Sequence, residues 1–273
     1  MNKALLLGAA GVAVAFGLLA AGFVAGKPQI AKAEDAPQVL TVAAAETQLD
    51  RKQVETIVRE YLLSNPELML EVQQALETKQ QEEQRVAHLQ VIEEAKAEIF
   101  NAAYDGVVGN PDGKVTIVEF YDYNCGYCKR AQEDMLALTA ADPELRFVLK
   151  EFPILGPDSQ KAHVVSMAFR ALAPEKYGEF HNALLGGAGR ASEDSAVKLA
   201  VSLGVDEARL REEMKNPEIT KAFSETYELA NRLAITGTPS YVVGNEVVFG
   251  ALGKEVLTEK IAAAKTCIEA ATC

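Results

Sequence analysis

The chain has 273 residues, 49% of them hydrophobic and 24% charged, with 19 Gly and 10 Pro. That is the composition of a folded globular protein, not of a disordered or collagen-like one. Its formal charge of −12, to which residues 1–33 contribute only Lys3, Lys27 and Lys32, leaves an acidic body that would repel phosphate backbones and argues against nucleic-acid binding.

The first element is an apolar run from Ala4 to Ala25 behind Met-Asn-Lys. Residues 1–33 therefore read as a signal peptide, cut after Ala31-Lys32-Ala33, or as an uncleaved membrane anchor, and both place the body outside the cytoplasm. Residues 34–48 mix Ala, Glu, Pro and Gln without periodicity and read as a linker.

From Leu49 the pattern becomes helical. Val54, Ile57, Val58, Tyr61 and Leu62 recur at spacings of three and four. Ser64-Asn65-Pro66-Glu67 ends that helix and starts another, with a capping residue, a proline at the first turn and an acid at the positive end. Leu68, Val72, Ala75 and Leu76 carry the second apolar face. The stretch from Glu77 to Gln84 has no large apolar side chain, and Val86, Leu89, Ile92 and Ile99 restore a face up to Phe100. Residues 49–100 thus form a helical arm and spacer. Its apolar faces must be covered, either by copies of the chain or by the domain that follows. His88, among polar neighbours in the spacer, reads as solvated.

The chemistry lies at residues 115–128. Asn110-Pro111-Asp112-Gly113 is a turn, and Lys114 to Asp122 is a β-branched and aromatic run that reads as a buried strand. Cys125-Gly126-Tyr127-Cys128 follows, then a helix through Met135, Leu136 and Leu138. A cysteine at a helix N-terminus meets unpaired N–H groups and the positive end of the helix dipole, which favour thiolate over thiol. Cys125 is expected as the exposed nucleophile and Cys128, one turn on, as the buried resolving thiol. Structural zinc would need two further ligands at compatible spacing, and His163 and His181 are isolated. Neither a metal nor an organic cofactor is needed.

Glu119 shares its strand parity with Tyr121 and Tyr123. It is either a buried proton acceptor for the resolving thiol or a solvent-facing strand residue. Tyr121 and Tyr123 either line a client groove or fill the core. His163 and His181 read as packed histidines, Met135 and Met214 as core. Ile235 to Val243 places Pro239 just before a strand, and a cis Thr238–Pro239 bond would present the Thr238 backbone to an extended substrate chain. Cys267 and Cys273 form a local disulfide across the last helix turn or stay unpaired.

These residues resemble the thioredoxin superfamily, and more closely its DsbA-like branch of extracytoplasmic thiol-disulfide oxidoreductases. The resemblance rests on Val118-Glu119-Phe120, Cys125-Gly126-Tyr127-Cys128 and Thr238-Pro239. It implies an α/β thioredoxin fold over residues 104–273, with a helical insertion at about 155–232. Glu119, Cys125 and Cys128 would act in catalysis, and Gly126, Tyr127, Thr238 and Pro239 in client binding. Residues 49 to about 80 are similar to the N-terminal region of ScsC-type proteins, a copper-tolerance group in which this region oligomerises the protein. The implied partners are cysteine-containing client proteins, a membrane redox partner of the DsbB or DsbD kind, and copies of the chain (a dimer or trimer) joined through residues 49–100. The implied location is the periplasm. DsbA itself has Cys-Pro-His-Cys; Gly126-Tyr127 is similar to the dipeptide of the DsbC isomerase. An isomerase-like or mixed role is therefore expected, with a strong DsbA-type oxidase or a copper(I)-binding protein using the reduced dithiol as alternatives.

Overall fold

A computed structural model describes residues 50–270. The expected leader and linker (residues 1–48), and Cys273 of the expected C-terminal disulfide, lie outside the described residues.

Helix α1, Arg51–Ser64, buries none of its residues. Helix α2, Leu68–Glu94, runs without interruption through the polar stretch Glu77–Gln84, and a short α3, Lys96–Asn101, follows. Strand β1, Gly106–Gly109, leads to β2, Val115–Tyr121. Helix α4, Gly126–Ala141, joins β2 to β3, Leu145–Glu151. Five helices then fill the chain up to the proline turn: α5 Pro157–Leu172, α6 Tyr177–Gly186, α7 Glu193–Ser202, α8 Glu207–Glu213 and α9 Pro217–Arg232. Strands β4, Ser240–Val243, and β5, Glu246–Phe249, form a hairpin, and α10, Lys254–Glu269, closes the described chain.

The five strands make one mixed sheet in the order β1-β3-β2-β4-β5. β2 and β3 are parallel, as a connection through α4 allows, and every other pairing is antiparallel. Both faces of the sheet are covered, which is why β2 reads as a continuous apolar run rather than an alternating one. Ile117 and Tyr121 of β2, Phe147 and Leu149 of β3 and Tyr241 of β4 face a core built with α4, α10 and the inserted helices. Val118, Phe120, Val148 and Val242 face the other way, onto Ile92, Ala95 and Ile99 from α2 to α3 and onto Leu229, Ala230 and Leu233 at the end of α9. This is the expected thioredoxin arrangement with a helical insertion.

Two differences from the sequence reading have simple causes. Residues Ile92 to Ile99, read as spacer, belong to the core under the sheet, because α2 lies against β5 and α3 against β2. His88 is half-buried rather than solvated: its ring sits 5.9 Å from that of Phe249, and burial lowers its pKa. Lys150 is fully buried on the α3 side, where its ammonium pairs with Asp105 Oδ2 at 2.6 Å and donates to the Glu98 carbonyl. A buried ammonium persists only with such partners.

Candidate active site

Strand β2 ends at Tyr121, and the next four residues turn the chain into α4. Asp122 organises the turn. Its Oδ1 accepts from Asn124 N–H at 2.7 Å and from Ser159 Oγ at 2.8 Å, its Oδ2 accepts from Leu155 N–H at 2.9 Å, and its carbonyl accepts from Cys125 N–H at 2.9 Å. Asn124 exchanges two hydrogen bonds with the backbone of Ala191, Ala191 N–H to Oδ1 at 2.7 Å and Nδ2 to the carbonyl at 3.0 Å, and so ties the turn to the inserted helices. A carboxylate-centred turn of this kind is common chemistry for Asp. Asp122 and Asn124 went unnoticed in the sequence, where the Asp–Tyr–Asn run was the only signal.

Cys125 is the N-cap of α4, with extended φ/ψ of −78° and 116°. Its sulfur lies 3.1 Å from the carbonyl oxygen of Thr238, and the Thr238–Pro239 peptide is cis. The structure therefore brings the two distant motifs together. Cys128 is fully buried, and Cys125, expected to be exposed, is only 6% so, because the chain at Thr238 covers its sulfur. Both are free thiols.

Electrostatics divide the two sulfurs. The Cys125 pKa is lowered to about 5, chiefly because the Cys128 thiol donates to its thiolate; burial opposes this, while Thr238 and the N–H groups of Cys128 and Tyr127 add to it. Burial, first, and that same donated hydrogen bond drive the Cys128 pKa far upward. At neutral pH, Cys125 is a thiolate and Cys128 a protonated donor.

Glu119 is 3% exposed, so the solvent-facing alternative is excluded. It lies opposite Tyr241 across the β2–β4 pairing. Burial raises its pKa to about 8, and the negative charge of Cys125 contributes. Lys150 does not offset this, since it projects to the other face of the sheet and is engaged by Asp105. Tyr121 and Tyr123 are fully buried, which overturns the client-groove alternative.

Tyr127 is 61% exposed beside Cys125, with the Arg130 guanidinium 4.3 Å above its ring. A Cβ placed on Gly126 would meet no heavy atom within 4 Å, so space beside the nucleophile is open. Leu155 and Leu252 are also exposed on segments bonded to this site, Leu155 through Asp122 and Leu252 through Gly250, whose N–H donates to the Pro239 carbonyl. Among the described residues, no group of three or more His, Cys, Asp or Glu side chains is arranged to hold a metal ion.

Residues 116–262 match the family described as DSBA-like thioredoxin domain, and residues 50–83 the family described as copper resistance protein ScsC N-terminal domain. A crystal structure of a thioredoxin-like oxidoreductase from Silicibacter pomeroyi is 39% identical, with TM-score 0.59, over 62% of this chain and 97% of its own. The thiol-disulfide exchange protein alpha-DsbA2 from Wolbachia pipientis is 29% identical, with TM-score 0.61, over 66% and 96%. Proteus mirabilis ScsC in a transitional conformation is 26% identical, with TM-score 0.59, over 78% and 95%. The chain spans about a quarter of the length of the curated relatives it matches: 26% identity over 161 residues, 59% of this chain and 24% of the Na(+)/H(+) antiporter NhaA 1 of Salinispora arenicola, and a similar share of NhaA 3 of Salinispora tropica.

Proposed function

The chain belongs to the DSBA-like thioredoxin domain family, and from that membership we propose that it catalyses thiol-disulfide exchange on cysteine-containing client proteins outside the cytoplasm, in an isomerase-like or mixed oxidase and isomerase role. The observation that carries this reading is the Cys125 sulfur, ionised above about pH 5 and lying 3.1 Å from the Thr238 carbonyl, with a protonated Cys128 behind it.

As isomerase, the Cys125 thiolate attacks one sulfur of a client disulfide. A Cys125–client bond forms, the client's other sulfur leaves as a thiolate, and no net electrons are gained or lost. A second client thiolate then attacks the mixed disulfide and restores Cys125. Alternatively Cys128 attacks Cys125, which closes the Cys125–Cys128 disulfide and releases the client reduced. That second route needs the Cys128 proton removed. Glu119 is suited to take it: once Cys125 is tied up in a mixed disulfide its negative charge is gone, and one of the two influences that raise the Glu119 pKa goes with it. Tyr127, the open side of Gly126 and the backbone at Thr238 and Pro239 form the client edge.

The apolar run from Ala4 to Ala25 supports action outside the cytoplasm. Among the described residues no helix is long and apolar enough to cross a membrane. Exposed Val54, Ile57, Val58, Leu63, Leu70 and Val72, within the segment similar to the ScsC N-terminal domain, support self-association of the arm. A membrane protein of the DsbB or DsbD kind would recycle the dithiol.

A second reading, dithiol oxidase, is favoured by the low Cys125 pKa, because a stabilised thiolate favours the reduced enzyme and so makes the disulfide more oxidising. Refolding of a client with scrambled disulfides, in a glutathione buffer and with the full chain at catalytic amounts, tests the proposal. Recovery of native client that disappears in Cys125→Ser is the expected result. Failure of the wild-type chain to exceed the buffer, with reduced client still being oxidised, favours the oxidase; failure of both reactions overturns the proposal.

A further inference from the structure

A buried cluster on β3 and α5 grips the residue two places before the nucleophile from both ends. Tyr123 is fully buried. Its backbone N–H donates to His163 Nε2 at 3.1 Å. The other ring nitrogen of His163, Nδ1, bonds to Glu151 Oε2. Because Nε2 accepts, Nδ1 carries the proton, so Glu151 fixes the tautomer that Tyr123 needs. The second oxygen of the same carboxylate, Oε1, accepts from Ser166 Oγ at 2.7 Å, and Tyr123 Oη lies 2.8 Å from Ser166 Oγ. The serine proton is committed to Glu151, so the tyrosine hydroxyl donates to the serine and is left to accept from His181 Nδ1, 3.3 Å away.

The grip on the backbone matters for Cys125. The N–H of Tyr123 and the C=O of Asp122 belong to one rigid peptide unit. That carbonyl accepts from Cys125 N–H at 2.9 Å. The neighbouring backbone of Asp122 bears on the resolving sulfur too, as the one influence that opposes the rise in the Cys128 pKa. His163 thus sets the plane of the peptide that holds the Cys125 backbone, at the turn from which Cys128 follows in the first turn of α4.

We infer that Glu151, His163 and Ser166 are positioning residues that, through Tyr123, hold Cys125 and Cys128 in the geometry in which the second thiol stabilises the first as thiolate. The inference rests on the exchange reading only in naming Cys125 as the attacking sulfur. It assigns a function to two polar residues of α5 and one of β3 that a packing role would leave interchangeable with apolar ones.

The test uses the full chain, reduced, and reads the thiolate midpoint of Cys125 from its ultraviolet absorbance and from the pH dependence of alkylation by iodoacetamide. In His163→Leu the Tyr123 N–H loses its acceptor, and the midpoint is expected to rise by about one pH unit, with alkylation at acid pH falling about tenfold. His163→Gln offers an amide oxygen and nitrogen spaced much like the two ring nitrogens and is expected to return the midpoint toward the wild-type value. A folded His163→Leu with an unchanged midpoint overturns the inference. So does an equal shift in Leu and Gln, which is what simple loss of packing would give. If His163→Leu does not fold, Ser166→Ala decides: a smaller upward shift supports the inference, and none overturns it. Exchange turnover is measured in parallel, and a wild-type chain with none would sink the functional reading while leaving the midpoint comparison to judge this one.

Discussion

Thr238 and Cys125, 113 residues apart, meet at 3.1 Å, carbonyl oxygen against sulfur. The same residue serves both protonation states of the nucleophile. Its carbonyl can accept from the thiol, and its side chain supplies a hydrogen bond that lowers the Cys125 pKa. Replacing the hydroxyl in Thr238→Val leaves the backbone carbonyl and removes one of the thiolate's partners, with the Cys128 thiol and the N–H groups of Cys128 and Tyr127 still in place. A hydrogen bond to a charged group is worth about 1.5–3 kcal/mol, or roughly one to two pH units. The Cys125 midpoint, about 5 in the wild type, should rise by that order, as read from thiolate absorbance. An unmoved midpoint would mean that the hydroxyl does not face the sulfur.

The largest influence on Cys125 is its neighbour's thiol, which separates two variants that most assays would treat alike. Cys128→Ala deletes the donor, so the Cys125 midpoint should climb from about 5 toward the ordinary thiol value of about 8.5. Cys128→Ser keeps a donor at the same place and should hold most of the depression. Both variants lose the resolving sulfur, so both should accumulate a mixed disulfide with client, visible as a reducible mass shift on non-reducing gels. Equal midpoints in the two variants would assign the depression to the helix N-terminus instead.

Glu119 introduces a pH dependence of opposite sign. Its folded pKa is raised to about 8 from an ordinary 4.5, so the native chain keeps a proton that the unfolded chain releases. Stability should therefore fall as pH rises from 4.5 to 8, by at most about 1.4 kcal/mol per pH unit. The reduced Cys125 thiol works the other way: its folded pKa is depressed to about 5, so its contribution grows from there up to the unfolded thiol value and is lost as pH falls through 5. Urea unfolding of reduced Glu119→Gln across this range should lose the falling contribution of Glu119 and keep those of Cys125, Asp105 and His181, so its stability should rise relative to wild type as pH goes from 4.5 to 8. In kinetics, the same substitution should slow release of client by Cys128 about 100-fold, with attack by Cys125 little changed. A slowed attack with normal release would contradict the role given to Glu119.

What could be read in advance, and what could not, follows from the range of the interactions. β2 and α4 announce themselves because one uninterrupted β-branched run meets a cysteine and a helical pattern at a single point, all within residues 115–141. Pro239 is legible as a turn proline before β4. By contrast β1, four residues with glycine at both ends, has almost no strand propensity and exists because β3 offers it an edge. Lys150 in β3 looks like a solvent-facing charge until Asp105, 45 residues away, is found beneath α3. Glu151, His163 and Ser166 each have an unremarkable local context, and only the packing of α5 against β3 makes them a cluster. His88 is hidden for the same reason: Phe249, far along the chain, is what its ring meets.

The arm supplies the prediction that separates isomerase from oxidase. An isomerase that holds a client with several wrong bonds gains from offering it more than one dithiol, whereas an oxidase needs only one site per encounter. Leu63 and Leu70, each 70% exposed, lie in the segment similar to the ScsC N-terminal domain and bury nothing in a single chain. If copies of the chain cover them, Leu63→Glu with Leu70→Glu places charges in an apolar contact, and the mass measured by sedimentation should fall to that of one 29.4 kDa chain or of its cleaved form. Neither position touches the site around Cys125, so oxidation of a simple dithiol peptide should stay near the wild-type rate while recovery of scrambled client drops at least severalfold. An assembly that persists in this variant would remove the arm from the interface. A monomer that still repairs scrambled client would show that shuffling needs one dithiol only, and the arm would then require another purpose.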